Sequence, residues 1–150
     1  MDDHIYKQHN KSLLLYHVVC PVRYRRDVIT EAVMQTIKET CEGIGKRYEI
    51  FTLELGVDED HVHFLEQSVP TMKPQQMVQT IKSITAKEVF KRHPEVKQKL
   101  WGGKFWTSGY YINTVGRYAS RDVIEKYVKE QGKNYKQIMK SQPTLFDGLI

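Results

Sequence analysis

Hydrophobic side chains recur along this chain with two different periods, and the order of those periods predicts the fold. Apolar runs or alternations typical of strands occupy four segments, at residues 12–20, 48–55, 61–69 and 106–115. Apolar residues spaced three or four apart predict amphipathic helices in three others, at residues 29–44, 77–90 and 120–132. The predicted order of elements is therefore β-α-β-β-α-β-α.

That order predicts an α+β fold of the ferredoxin-like type. In such a fold, four antiparallel strands form one sheet and two helices cover one of its faces. The last predicted helix is an addition to this layer, at the C-terminal side. We expect a single domain over residues 1–150, with a core at about 12–132. Residues 133–150 are expected to form a short turn or helix and a tail.

Polar and turn-forming residues indicate where the elements begin and end. Pro21 ends the first strand, because proline cannot donate a backbone hydrogen bond within a sheet. Asp27 is placed to cap the first helix. Residues 56–60 are acidic and contain a glycine, so they predict a turn that makes the second and third strands a hairpin.

Composition limits the class of protein. The 150 residues are 40% hydrophobic and 27% charged, which is typical of globular proteins. No apolar run approaches the roughly 20 residues that cross a bilayer, and no signal-peptide core is present, so a cytoplasmic protein without membrane contact is expected. Cys20 and Cys41 fall at apolar positions and predict buried free thiols. The net charge of +5 permits a polyanionic partner without requiring one.

Two histidines stand one residue apart in the third predicted strand. Side chains at i and i+2 of a strand share a face, so His61 and His63 form half of a site for a metal ion. Such pairs are also common as polar residues of ordinary strands. Two further features leave alternatives open. His17 is either a third metal ligand or a core histidine. The acidic turn at 56–60 either supplies a carboxylate to the metal or is solvated.

Cationic and phenolic side chains supply further candidates. The basic run with Arg23, Arg25 and Arg26 follows a strand end, where it either binds phosphate or forms a solvated loop. Lys82 lies on the basic face of the second helix. Tyr127 and Gln131 are four residues apart and therefore share one face of the last helix, although a helical tyrosine is more often a packing residue.

These motifs together resemble a known family over most of residues 12–132. The segment Asp60-His61-Val62-His63-Phe64-Leu65 resembles the His-hydrophobic-His motif of HUH nucleases. The segments YYINTVG at 110–116 and VIEKYVKEQ at 123–131 resemble the nucleophile region of single-tyrosine HUH transposases (TnpA) of the insertion-sequence 200/605 type. The Tyr-Arg-Arg of 24–26 and Ile81-Lys82-Ser83 are also similar to that family. Glu59 departs from the pattern, which has proline there.

The resemblance implies a role for each candidate. His61, His63 and Gln131 would ligate a divalent metal, Mg²⁺ or Mn²⁺. Tyr127 would attack a scissile phosphate in single-stranded DNA and leave a 5′-phosphotyrosine and a free 3′-OH. The family excises and joins single-stranded transposon ends and recognises subterminal DNA hairpins. Its members are homodimers in which Tyr127 can lie against the other subunit's histidines.

The sequence itself allows such an exchange between subunits. Residues 114–119 form a joint with a glycine and little apolar content, so the last helix can leave its own domain. Three alternative functions remain open. They are another HUH endonuclease, such as a repeat-associated tyrosine transposase, a non-catalytic nucleic-acid-binding module on the same scaffold, and a small zinc protein. The zinc alternative is disfavoured because two histidines without nearby cysteines make a poor closed site.

Overall fold

A computed structural model describes residues 4–23, 28–58, 60–116 and 136–140 of the protein. The strands in these ranges are β1 (Ile5–Tyr6), β2 (Lys11–Ser12), β3 (Leu14–Pro21), β4 (Phe51–Asp58), β5 (His61–Ser68), β6 (Tyr111–Val115) and β7 (Lys136–Lys140). The helices are α1 (Glu31–Tyr48), α2 (Pro74–Arg92) and α3 (Pro94–Lys99), and a 3₁₀ turn follows at Trp101–Gly103.

One antiparallel sheet organises these elements, with strand order β6-β3-β5-β4-β7. Its first four strands, counted along the chain, lie in the order fourth, first, third, second, with α1 and α2 as the two crossovers. This arrangement confirms the predicted ferredoxin-like α+β fold. β1 and β2 pair separately, as a small hairpin before the sheet.

The fifth strand of the sheet was not predicted. The expectation of a turn or short helix after residue 133 is wrong for β7, because this segment pairs with the outer edge of β4. An edge strand has unpaired backbone donors and acceptors, and β7 satisfies those of β4. The predicted helix at 120–132, which carries Tyr127, lies outside the described residues.

The core lies between the sheet and the two long helices. Val18 of β3 is paired with Phe64 of β5, so both side chains point to the same face, where α1 and α2 cover them. Cys20 and Cys41 are free and buried in this layer, as predicted. The described part of the chain contains no helix that is long and apolar enough to cross a membrane.

Several boundaries differ from the sequence prediction. Helix α1 is capped by Thr30, whose Oγ1 accepts from the backbone N–H of Val33 at 3.2 Å, while the predicted cap Asp27 lies outside the described residues. Asp58 is paired with His61, so the β4–β5 turn is tighter than the predicted 56–60. The last predicted strand begins at Tyr111, since the residues before it form a loop against α2.

Hydrogen bonds attach that loop to helix α2. The Trp106 indole donates to Thr85 Oγ1 at 3.0 Å, and Thr85 in turn donates to the carbonyl of Ile81 at 2.6 Å. The indole N–H of Trp106 and the hydroxyl of Thr85 thereby both have hydrogen-bond partners, which removes most of the free-energy cost of burying them. The loop leads into β6, so its anchoring helps to position β6 beside β3.

A carboxyl group is fully buried in the same core. Glu66 of β5 is 0% exposed, and its Oε1 accepts from Thr52 Oγ1 at 2.6 Å. Burial raises the pKa of Glu66 to about 8, while the hydrogen bond from Thr52 acts in the opposite direction. Glu66 is therefore mostly protonated at neutral pH.

Replacement of Glu66 by glutamine should change how stability depends on pH. Between the ordinary pKa of 4.5 and the folded value of about 8, the unfolded chain loses its Glu66 proton while the folded protein keeps it. The wild-type protein therefore loses stability as pH rises through this window, and Glu66→Gln does not. The variant should gain about 1 kcal/mol per pH unit relative to wild type, measured by urea unfolding. Glu42→Gln, at an exposed position, is the matched control, and a difference for Glu66→Gln that is constant with pH would refute the assignment.

Candidate active site

The two candidate ligands lie on the sheet face opposite α1 and α2. Along β5, Val62 and Phe64 point into the helix-covered core, so His61 and His63 between them point to the other face. His63 is 3% exposed, whereas 31% of the His61 side chain is exposed. The structure thus brings the two imidazoles onto one face, with His61 nearer the solvent.

A carboxylate holds the ring of His61. Asp60 Oδ1 lies 2.6 Å from His61 Nδ1, and the Asp60 carbonyl accepts from the backbone N–H of Val22 at 2.8 Å. A histidine that donates Nδ1–H to a carboxylate presents Nε2 to a metal, and the carboxylate orients the ring. The sequence left the acidic turn open as a source of a metal carboxylate or as a solvated turn, and the structure instead places Asp60 against the ring of His61.

A third histidine contacts His63. His17 Nε2 lies 3.1 Å from His63 Nδ1, and the two rings stack with centroids 5.4 Å apart and planes 16° apart. This contact follows from sheet register, because His17 and His63 occupy neighbouring positions on the same face of β3 and β5. The sequence left His17 open as a ligand or a core residue, and the structure places it beside the candidate ligand.

Burial keeps both of these rings neutral. It lowers the pKa of His63 to about 3, with further contributions from His17 and His61. It lowers the pKa of His17 to about 4, and a side-chain hydrogen bond with Asn113 acts in the opposite direction. Neutral imidazole is the form that binds a metal, so His63 need not lose a proton first at neutral pH.

Strand β6 forms the other border of the site. Asn113 is paired with His17, and the Tyr111 ring meets the His17 ring edge-on at 6.4 Å. Sequence analysis did not identify either residue as part of the site. Both lie in the YYINTVG segment, and the alternation of that strand would have indicated them once β6 was known to pair with β3.

The described donors fit half of a divalent-metal site. His61 and His63 project from adjacent positions of one face, and each has its Nδ1 engaged by a neighbour. Within the described ranges, no group of three or more His, Cys, Asp or Glu side chains could hold a metal ion. Gln131 and Tyr127 lie outside those ranges, so their roles stay predictions.

The structure describes only two of the four predicted DNA-binding residues, Arg23 and Lys82. Arg25 and Arg26 lie outside the described residues, while Arg23 is described and helps to line a cavity of about 400 Å³ with Ser83 and Lys104. Lys82 is 8% exposed and its Nζ donates to the carbonyls of Thr107 at 2.7 Å and Gly109 at 3.4 Å. These contacts give Lys82 a role in holding the loop before β6, and its contact with DNA stays a prediction.

Comparisons of sequence give a consistent result. A family model described as "Transposase IS200 like" matches residues 10–131. The ISDra2 transposase TnpA of Deinococcus radiodurans is 32% identical over 118 residues, which are 79% of this chain and 84% of that protein. The transposase for insertion sequence element IS200 of Salmonella typhimurium is 28% identical over 127 residues, which are 82% of this chain and 80% of that protein.

Comparisons of structure agree with the fold described above. A crystal structure of a Deinococcus radiodurans R1 protein described as a transposase has a TM-score of 0.68 at 26% identity, and the match covers 85% of this chain and 98% of that one. The REP-associated tyrosine transposase bound to a REP hairpin has a TM-score of 0.53 at 11% identity, and the match covers 81% of this chain and 67% of that one. At this identity, the second match shows a similarity of fold alone.

The low pKa values of His17 and His63 predict that both rings stay neutral well below neutral pH. In an NMR titration from about pH 8 to about pH 5, their ring signals should keep the shifts of neutral imidazole, whereas an unperturbed histidine titrates near 6.5. A histidine in a short unstructured peptide is the reference. A midpoint near 6.5 for either ring would contradict the burial described here.

Proposed function

The chain belongs to the family of IS200-like transposases, and on that premise we propose that it cleaves and rejoins single-stranded ends of a DNA element through a covalent 5′-phosphotyrosine. One observation carries this proposal: His61 and His63 lie on one face of a rigid strand, each with its Nδ1 engaged by a neighbour. Such a pair suits a metal site beside a phosphate better than it suits a binding module that only stacks bases.

Tyr127 is the proposed nucleophile. Its phenolic oxygen forms a bond to the scissile phosphorus, the bond from phosphorus to the 3′ oxygen breaks, and that oxygen leaves as a 3′-OH with a proton. The reverse step, in which a 3′-OH attacks the phosphotyrosine, joins strands without ATP. An unperturbed tyrosine has a pKa near 10, so its proton must leave during the attack.

His61, His63 and Gln131 are the proposed holders of a divalent cation, Mg²⁺ or Mn²⁺. When bound, such a cation supplies Lewis-acid stabilisation of charge on the phosphate oxygens. The ligands proposed here are all neutral, so they add no negative charge that would repel DNA. Imidazole nitrogen favours Mn²⁺ over Mg²⁺, since Mg²⁺ prefers oxygen ligands.

DNA with hairpins at the ends of the element is the proposed substrate. The net charge of +5 favours a polyanion, and the REP-associated neighbour of the same fold was solved with a REP hairpin. Arg23, Arg25 and Arg26 are proposed to contact phosphates, with Arg23 beside Lys104 at the cavity described above. The family shown by the sequence comparisons favours an insertion-sequence transposase over a repeat-associated one, whose likeness is confined to the fold.

Removal of the Tyr127 hydroxyl should abolish covalent chemistry. With single-stranded DNA carrying the end of the element and Mg²⁺ or Mn²⁺, the wild-type protein should form a DNA adduct that survives SDS, whereas Tyr127→Phe should form none. Tyr6→Phe is the matched control, because Tyr6 is 60% exposed and far from the site in sequence. An adduct of normal yield with Tyr127→Phe would exclude this residue as the nucleophile.

Loss of either proposed ligand should separate cleavage from binding. His61→Ala and His63→Ala should abolish cleavage of the DNA strand, while affinity for the hairpin changes by less than about 0.5 kcal/mol, because affinity comes from cationic contacts to phosphates. Gel shifts and cleavage assays on the same preparations measure both quantities. His9→Ala, at an exposed position, is the control, and equal losses of binding and cleavage would indicate a structural role for the pair.

We also propose a homodimer in which Tyr127 of one chain serves the histidines of the other. The glycine and low apolar content of residues 114–119, of which the first two belong to β6, favour such an exchange. Tyr127→Phe protein and His61→Ala/His63→Ala protein, each inactive alone, should regain cleavage when subunits exchange, because the mixed dimer has one intact site. No recovery despite mixed dimers detected by mass measurement would place the whole site within one chain, and a monomer at micromolar concentration would exclude the dimer.

A further inference from the structure

We propose that the cavity between α2 and the loop before β6 binds one nucleotide of the DNA substrate that is not base-paired, with its phosphate against cationic side chains and its base inside the cavity. The cavity has a volume of about 400 Å³, and Arg23, Ser83 and Lys104 are among the residues that line it. The inference rests on the proposed function in taking DNA as the substrate. The site that it concerns is separate from the histidine pair.

The charge of the lining favours a phosphate. Among the described residues that line the cavity, Arg23, Lys82 and Lys104 are cationic and none is acidic. Lys82 is 8% exposed, and its Nζ donates to the carbonyls of Thr107 and Gly109. Carbonyl oxygens satisfy N–H donors but leave the positive charge of the ammonium group in place. A cleft lined by one sign of charge concentrates ions of the opposite sign, so this cavity attracts the phosphate of a nucleotide.

The rest of the lining suits a nucleobase. Gln79, Ser83 and Ala86 lie at positions i, i+4 and i+7 of α2, so they form one stripe along the helix that faces the cavity. Phe105 and Trp106 line the cavity from the side of the loop. Apolar surface with a few amide and hydroxyl groups is typical of sites that bind small organic ligands. A phosphate alone would fill only a small part of about 400 Å³, so a whole nucleotide fits the cavity better.

Backbone hydrogen bonds hold the walls of the cavity in place. The N–H of Arg23 donates to the carbonyl of Phe105 at 2.8 Å, and the N–H of Thr107 donates to the carbonyl of Pro21 at 3.0 Å. Gly103 lines the cavity with a φ of 65°, a conformation that favours glycine, so backbone forms this part of the wall. A site whose walls are already fixed loses little conformational freedom when a ligand binds.

The cavity lies beyond the end of β3 that is next to His61. Pro21 is paired with His61, and the N–H of Val22 donates to the carbonyl of Asp60 at 2.8 Å. Arg23 follows Pro21 by two residues, which is at most about 7 Å of chain. A single strand whose scissile phosphate lies at His61 would therefore reach Arg23 within a few nucleotides. The expected ligand is a nucleotide of the single-stranded segment near the cleavage point, outside the paired stem of a hairpin.

The test is a double-mutant cycle between protein and DNA, with affinity measured by fluorescence anisotropy and EDTA present to prevent cleavage. The DNA is a single strand with the hairpin and the end of the element, in which each unpaired position is made abasic in turn. With wild type, loss of one base near the cleavage point should lower affinity about 5- to 100-fold, the range expected for one packed base. Ser83→Leu fills the cavity, so it should weaken binding of the intact DNA by a similar factor and abolish the effect of that one abasic position.

Two further variants show whether the effect comes from the cavity. Ser83→Ala leaves the cavity open and should keep the effect of the abasic position. Gln76→Leu, at an exposed position of the same helix outside the lining, is the matched control and should behave as wild type. Lys104→Gln removes one phosphate contact without filling the cavity, so it should lower the slope of log affinity against log salt by about 0.7. Urea unfolding of each variant checks that the fold is retained.

The absence of any abasic position whose effect depends on Ser83→Leu would overturn the inference, and so would an equal loss of affinity in Gln76→Leu. Saturable binding of thymidine 5′-monophosphate that Ser83→Leu abolishes, while no abasic position matters, would assign the cavity to a free nucleotide and also overturn it. If wild type forms the SDS-resistant adduct but the cycle shows no coupling, only this inference fails. If the cycle shows coupling but Tyr127→Phe still forms the adduct, the proposed nucleophile fails and this inference stands.

Discussion

The two-faced packing of strand β5 is the constraint on which the rest of the structure depends. Val62 and Phe64 are completely buried under α1 and α2, and the alternation of the strand then sends His61 and His63 to the opposite face. A shift of one residue in register would exchange the two faces and place imidazoles in the apolar core. The same apolar packing that stabilises the fold therefore also fixes where the candidate ligands lie.

The position of β5 between β3 and β4 gives it both of its polar environments. On the helix side, Glu66 is buried beside Thr52 of β4, and on the other side His63 is buried beside His17 of β3. Both groups are held in their neutral forms, because burial disfavours charge on a carboxylate and on an imidazolium alike. Hydrogen bonds across the strands compensate for part of the cost of burial, so the neighbours of β5 also determine the chemistry of its side chains.

Sequence periodicity predicted those features that depend on a single segment, such as the type of an element and the face on which its side chains lie. The alternation of β5 placed His61 and His63 together, and the apolar stripes predicted α1 and α2. It left His17 open between a ligand and a core residue and did not identify Asn113, because the position of both beside the site depends on which strands pair. The pairing of β7 with β4 was missed for the same reason, since an edge strand is defined by its partner and not by its own pattern.

The central claim is that Tyr127 becomes covalently linked to DNA during cleavage. The most direct measurement is mass spectrometry of the reacted protein after digestion with a protease and a nuclease. The account predicts one modified peptide, in which a nucleotide is joined through its 5′-phosphate to Tyr127. A nucleotide on a different residue would contradict it, and so would cleaved DNA with a free 5′-phosphate and no modified peptide, since water would then be the nucleophile.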